Sequence, residues 1–413
     1  MRILVIAIGS DGDINPMLEI SKELKSRGHE IVFFANGYFK EKVEKEGFQL
    51  VELGASNLYH ETIKNPELWS PRKGFQAIWE VMKPYLLEQY ELLKEWIIPG
   101  ETAVVGTTLA FPARFIQEKH RLKLTTVHLQ PSFILSAENP PCMPGLKLST
   151  KVPLFMRKWL MQVIDEQFLD RVLKDDINKV RNEIGLPPVK NVMRSWIHSP
   201  DSVLLAFPEW YSTPQADWPE NHEFAGFPVF LNTADKQITE KTREFIEADE
   251  PPLVFTAGSA NAHSRIFFDT AINTLKQLKK RAIFVSKFEA LEELKLPDSI
   301  HVSSYEPFDL LFPKTLAVVH HGGVGTTAQC LWAGVPQMIA PFAHDQFDNA
   351  YRIEELKTGL YARTLKVDEW VEKLNFLIED PVYKENSQYR SGLMQTEERA
   401  ASRAAAIIEK LGV

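Results

Sequence analysis

Apolar residues fall in short unbroken runs, and amphipathic stretches separate the runs. "RILVIAI" (2–8) has the length and continuity of a strand buried on both faces. The next stretch, "MLEISKELKSRG" (17–28), places Met17, Leu18, Ile20 and Leu24 on one helical stripe and stops at Gly28 as a C-terminal cap. "EIVFFAN" (30–36) is a second strand, which completes a β-α-β unit with a right-handed crossover. "TAVVGTT" (102–108) and "LTTVHLQ" (124–130) extend the same sheet, with the helix-like "PARFIQEKH" between them. The rhythm fails over 185–237, where Pro187, Pro188, Pro200, Pro208, Pro214, Pro219 and Pro228 crowd together. It then resumes with "PLVFTAGS", "FFDTAINTLKQL", "RAIFVS", "SIHVSS" and "LAVVHH".

Two α/β halves in series, each opening on a strand and a glycine turn, predict two Rossmann-like domains facing a cleft. The expected division is a first domain over 1–215, a linker over 216–237 and a second domain over 238–390. An alanine-rich C-terminal helix over 391–413 is expected to pack back on the first domain.

Composition narrows the class. The 413 residues hold 44% hydrophobic and 25% charged side chains, an ordinary globular balance. A formal net charge of -8 disfavours nucleic acid as a partner. Two cysteines, Cys142 and Cys330, offer no disulfide framework, so a reducing cytoplasm is the simple expectation. The N-terminal apolar run leads into acidic residues and reads as a strand, not as a signal peptide. No apolar stretch reaches the roughly 18 residues of a transmembrane helix. "KVPLFMRKWLMQVIDEQF" (151–168) has apolar and basic residues at helical spacing. Its simple reading is a core-facing helix, with peripheral membrane contact as the alternative.

The candidate chemistry starts at "HHGGVGTTAQ" (320–329). An apolar strand stops at a glycine turn and opens a helix, whose free N–H groups and dipole favour a phosphate. Gly322, Gly323 and Gly325 allow close approach, Thr326 and Thr327 add hydroxyls, and His321 can donate to a phosphate oxygen. His320 and His321 are neighbours on a strand and point to opposite faces, a poor chelating pair. Downstream, "AGVPQMIAPFAHDQ" (333–346) ends on a loop with Asp345 and Gln346, a carboxylate and an amide suited to sugar hydroxyls. Neither glycine turn is a Walker loop or a dinucleotide fingerprint, which disfavours a nicotinamide dehydrogenase.

These motifs resemble the donor-binding signature of nucleotide-sugar-dependent glycosyltransferases of the two-Rossmann (GT-B) type, the UDP-glycosyltransferase superfamily. The resemblance implies diphosphate contacts at His321, Gly323, Gly325 and Thr326 and sugar contacts at Asp345 and Gln346. It also implies a ribose contact at Gln329, base stacking by Tyr305 in "YEPF", and a phosphate-proximal turn at Gly258-Ser259. "GSDGDINP" (9–16) resembles the family's first loop and puts Asp13 where plant members carry their histidine base. A carboxylate there can take the proton of an attacking hydroxyl; helix capping is the competing role. Asp11 and Asp13 also form a D-x-D pair, but no metal is expected. "SWIHSPDSVLLAFPEWYSTPQADWPENHEFAGFPVF", "PFAHDQFDNAYRI", "PELWSPRKGF" and "ILSAENPP" further resemble the rhamnosyltransferases of rhamnolipid biosynthesis.

The implied activity is an inverting, metal-independent hexosyl transfer from a UDP-glucose or dTDP-rhamnose type of donor to a small hydrophobic acceptor. The nucleotide diphosphate sugar is a co-substrate, and no cofactor is expected. Trp79, His128 and Phe133 are the candidate acceptor contacts, from "GFQAIWEVMKPYLLEQYELL" and "QPSFILSAENPPCMPGL". A nucleotide-sugar epimerase of the same fold and a non-catalytic nucleotide-sugar-binding protein are the alternatives.

Overall fold

A computed structural model describes residues 1–144, 146–231, 237–258, 264–287, 291 and 296–412. The chain forms two compact units. The first comprises Met1–Leu68, Arg72–Pro228 and Glu398–Val413; the second comprises Trp69–Pro71 and Val229–Glu397.

The first unit carries a seven-stranded parallel sheet. Its strands are β1 (Arg2–Ile6), β2 (Glu30–Ala35), β3 (Gln49–Glu52), β4 (Thr102–Thr107), β5 (Lys123–His128), β6 (Ser202–Leu205) and β7 (His222–Phe224). They lie in the order β3-β2-β1-β4-β5-β6-β7. The second unit holds β8 (Leu253–Thr256), β9 (Ala282–Val285), β10 (Ile300–Ser303), β11 (Val318–His320), β12 (Gln337–Ile339) and β13 (Gly359–Tyr361), also parallel, in the order β10-β9-β8-β11-β12-β13. Both units therefore reverse winding direction beside their first strand, between β1 and β4 and between β8 and β11. At such a switch point the crossover helices leave in opposite directions, so the loops at the strands' carboxyl ends part and expose backbone to a ligand.

The apolar runs form strands because each is covered on both faces. Ile3, Leu4, Val5 and Ile6 of β1 are buried, as are Leu253, Val254 and Phe255 of β8. Two strands lie where periodicity was missing. β6 is four residues long, and β7 occupies the stretch expected as linker, pairing Val203–Leu205 with His222–Phe224. An edge strand of three partly buried residues is too short to show a period.

The C-terminal helix, Ala400–Glu409, belongs to the first unit and buries Ala401, Ala404, Ala405, Ile407 and Ile408. Polar contacts fix its direction. Arg27 donates to Glu409 at 2.9 Å and to the Ser402 carbonyl at 2.9 Å, and His29 Nε2 lies 2.8 Å from Glu409. No described helix is long and apolar enough to cross a membrane.

Candidate functional site

In the second unit β11 ends at His320, and the helix Val324–Ala333 begins with Gly323 as its N-cap. No side chain of the described residues caps this end, which leaves the N–H groups of the first turn open among them. His320 is structural. Its Nδ1 accepts from the Gly322 N–H at 3.1 Å, and its Nε2 lies 2.8 Å from Gln337 Oε1, so the proton sits on Nε2. Burial lowers its pKa to about 4 and keeps it neutral.

His321 turns the other way, and glycines make its seat. A Cβ at Gly258 would lie 2.6 Å from His321 Cε1, and one at Gly323 would lie 2.5 Å from His321 Nε2. Gly322, at φ +96°, is equally enclosed: a Cβ there would meet Ile339 Cγ2 at 2.5 Å. Thus Gly258, two residues after β8, and Gly323, after β11, hold one imidazole across the switch point. Burial, reinforced by His320, lowers the His321 pKa to about 3. Its Nδ1 is buried without a hydrogen-bond partner among the described residues. A neutral ring with an unused polar atom beside open helix N–H groups suits a phosphate oxygen.

The loop after β12 is fastened to this turn by a residue that sequence reasoning passed over. Asn349 is fully buried, and its Nδ2 donates to the Gly322 carbonyl at 2.9 Å and to Asp345 Oδ2 at 2.7 Å. One amide therefore ties the glycine turn to the carboxylate. The available signal was its spacing, four residues after Asp345 on the same helix face. Asp345, the N-cap residue of the helix Gln346–Glu355, is partly exposed.

Gln346 is partly committed within its own loop. Its Oε1 accepts from the Phe342 and Ala343 N–H groups at 2.7 and 3.0 Å, so its carbonyl shapes the loop. Thr327 is also withdrawn: it is fully buried and donates to the Gly323 carbonyl at 3.1 Å. Gly325 and Thr326 stay partly exposed on the first turn. Gln329 donates to the Phe230 carbonyl at 2.8 Å and leaves Oε1 buried without a partner among the described residues. One of its two N–H donors is engaged within the protein, and Oε1 remains for a ribose hydroxyl. Tyr305 is exposed, with the Lys287 ammonium 5.8 Å from its ring centre. Its neighbour Glu306 is buried and accepts from Ser303 and Thr239, fixing that turn. Ser259 lies outside the described residues.

In the first unit, Asp13 sits at the start of the helix Asp11–Ser26, in a loop at the carboxyl end of β1. Ser10 and Asp13 form a reciprocal capping box, with the Ser10 N–H donating to Asp13 Oδ2 at 2.8 Å. The capping role is therefore real, and it engages one carboxylate oxygen. Oδ1 has no partner among the described residues. Burial outweighs the Ser10 hydrogen bonds and raises the Asp13 pKa to about 6. Gly9, at φ +142°, makes room for the carboxylate: a Cβ there would lie 2.0 Å from Asp13 Oδ2. Asp11 is held separately, in an ion pair with Lys42.

The acceptor candidates fare worse. Trp79 is buried in the first unit's core, donates to Asp176 at 2.9 Å and packs edge-on against Phe111. His128 is fully buried, with Thr108 Oγ1 2.9 Å from Nδ1 and His198 Nδ1 2.8 Å from Nε2. Burial drives its pKa well down and leaves no face for a ligand. Both are core residues whose polar atoms found partners. Phe133 lies partly exposed on the rim of the same core.

Comparison with known proteins bears on both units. Residues 3–137 match the glycosyltransferase family 28 N-terminal domain. Residues 272–411 match the erythromycin biosynthesis protein CIII-like C-terminal domain. A sterol 3-beta-glucosyltransferase of Arabidopsis thaliana is 26% identical over 403 residues, 92% of this chain; the chain spans 64% of that relative's length. The O-mycaminosyltylonolide 6-deoxyallosyltransferase of Streptomyces fradiae is 27% identical over 87% of this chain and 85% of its own. Among solved structures, the glycotransferase of kitacinnamycin superposes with a TM-score of 0.77 at 19% identity, covering 100% of this chain and 99% of its own. The glycosyltransferase VinC in complex with dTDP gives 0.68 at 18% identity, with 100% and 99% covered.

Proposed function

The chain is a glycosyltransferase with two Rossmann-like units, and on that premise we propose that it moves a hexose from a nucleoside diphosphate sugar to a hydroxyl of a hydrophobic acceptor, with inversion and without a metal ion. One observation carries the reading: His321 sits between Gly258 and Gly323, and Asn349 ties that turn to Asp345. The open N–H groups of the helix Val324–Ala333 and the His321 ring take the diphosphate. There they offset charge on the leaving group as the glycosidic C–O bond breaks. Gly325 and Thr326 line the same turn, and Asp345 accepts from a sugar hydroxyl.

Asp13 acts as the base. As the acceptor oxygen bonds to the anomeric carbon from the face opposite the diphosphate, its proton passes to Asp13 Oδ1. A pKa near 6 suits this task, since the carboxylate is ionised at neutral pH yet more basic than an ordinary one. The engagement of Asp11 with Lys42 and of Asp13 with Ser10 supports a mechanism in which neither carboxylate binds a cation.

Relatives named for a sterol and for O-mycaminosyltylonolide support an apolar acceptor with a free hydroxyl. The donor is of UDP-glucose or dTDP-rhamnose type; the resemblance to rhamnolipid rhamnosyltransferases favours the second, with a hydroxyacyl lipid as acceptor. Calorimetric titration with UDP, dTDP and the two sugar nucleotides, with and without chelator, tests this on wild type, Asp13→Asn and His321→Ala. Expected are metal-independent binding of one diphosphate, weaker binding by His321→Ala, and unchanged binding but lost turnover in Asp13→Asn. Absence of any nucleotide binding would sink the proposal.

A further inference from the structure

We infer that the segment 146–168 of the first unit is a docking surface for an anionic lipid bilayer. The helix Leu154–Ile164 buries Arg157 and Met161, and Asp165 follows at the next four-residue step. Its attachment is partly polar: the Arg157 guanidinium donates to the Val152 carbonyl at 2.9 Å and the Ala137 carbonyl at 2.7 Å. Several large apolar side chains off that line are uncovered. Phe155 is 73% exposed, Trp159 65%, Phe168 65%, Met156 47% and Leu146 41%. The other six large apolar side chains exposed among the described residues are spread between 266 and 389. Scattered exposure of this kind is ordinary, whereas five such side chains within one short segment mark a surface that something covers.

Charge identifies what covers it. The chain as a whole carries a net charge of -8. Along 146–168, however, Lys151 and Lys158 are exposed and Glu166 is the only exposed carboxylate. A helix that presents phenylalanine and tryptophan flanked by lysine matches the interface of a bilayer. The rings enter the headgroup boundary, and the cations meet lipid phosphates. The exposed aromatic rings beside these cations favour a bilayer interface as the occupant. This inference is independent of the donor and the acceptor, so it stands or falls apart from the proposed reaction.

The test is co-sedimentation of the full chain with vesicles of phosphatidylcholine alone and of phosphatidylcholine containing phosphatidylglycerol. Wild type is expected to partition onto the anionic vesicles. The Phe155→Ser, Trp159→Ser, Phe168→Ser triple variant should partition about tenfold less or weaker still. Lys151→Glu with Lys158→Glu should remove most of the preference for anionic lipid, roughly fivefold for each lysine lost. Nucleotide binding by calorimetry should be unchanged in both, since none of these side chains belongs to the donor loops. Failure of wild type to sediment with either vesicle overturns the inference, as does equal partitioning by the triple variant. Self-association in sedimentation velocity that the triple variant abolishes, without vesicle binding, also overturns it and reassigns the face to a protein contact.

Discussion

Replacing Asn349 with alanine is the sharpest perturbation of the donor site, because one buried amide holds two loops. The substitution removes a 2.9 Å hydrogen bond to the Gly322 carbonyl and a 2.7 Å hydrogen bond to the Asp345 carboxylate. The neutral bond is worth about 1 kcal/mol net and the charged one about 2, and the Gly322 carbonyl is left without its partner. Together the loss is roughly 2–4 kcal/mol. In a unit of this size each kcal/mol shifts Tm by about 2–4 °C, so the second unit's transition should fall by roughly 5–15 °C. Scanning calorimetry measures this, with the exposed Asn273→Ala as a control expected within about 0.5 kcal/mol of wild type. Asn349→Asp supplies an independent check. It places a second carboxylate against Asp345, and one of the two must then titrate with a raised pKa. A raised pKa means stability is lost as pH rises through it, so this variant should recover stability between neutral pH and pH 4. The alanine variant should not. A Tm shift of Asn349→Ala below about 2 °C, or no difference in pH response between the two variants, would refute the claim that this amide fastens the loops.

Asp13 should leave a mark on both stability and rate. Its folded pKa of about 6 exceeds the ordinary aspartate value of 3.8, so ionisation destabilises the fold at higher pH and the penalty vanishes as pH falls below both values. Asp13→Asn should therefore melt higher than wild type at pH 7.5, with the gap closing through pH 6 toward pH 4; turnover of wild type should rise through about pH 6 as the base ionises. His321, with its pKa lowered to about 3, binds diphosphate as a neutral donor, so affinity should stay flat from pH 7 to pH 8.5. A tenfold fall per pH unit there, measured by titration, would mean an imidazolium does the binding. Gly258→Ala should weaken nucleoside diphosphate binding, because φ +91° costs about 1–2 kcal/mol for alanine and its Cβ displaces the His321 ring. Trp79→Ala should cost roughly 3–5 kcal/mol in urea unfolding while leaving acceptor KM in the surviving folded enzyme unchanged; a KM effect without a stability loss would restore Trp79 to the acceptor site.

Much of the architecture was legible in the chain because parallel strands advertise themselves locally. A strand covered on both faces must be apolar throughout, as in "RILVIAI" and "PLVFTA", and each run ends where glycine lets the chain turn. The same logic exposed Gly258, Gly322 and Gly323, since only residues without a Cβ tolerate the His321 ring or a positive φ at those points. β7 escaped detection because three partly buried edge residues carry no period.

The roles of individual polar and aromatic side chains were decided by tertiary structure alone. Asn349 and His128 each depend on a group from another loop or strand, the Gly322 carbonyl and the His198 ring, whereas Gln346 and Thr327 turn back on backbone groups three or four residues away. Trp79 became core because Asp176, remote in sequence, receives its N–H. The helix Leu154–Ile164 shows the converse. Its periodicity promised a buried apolar face, yet the buried line is Arg157, Met161 and Asp165, while Phe155 and Trp159 face solvent. Sequence thus determined where strands, turns and helices form, because hydrophobic period and backbone sterics are local properties. Which side chains bind, cap or pack was settled by neighbours that only the folded chain brings within hydrogen-bonding range.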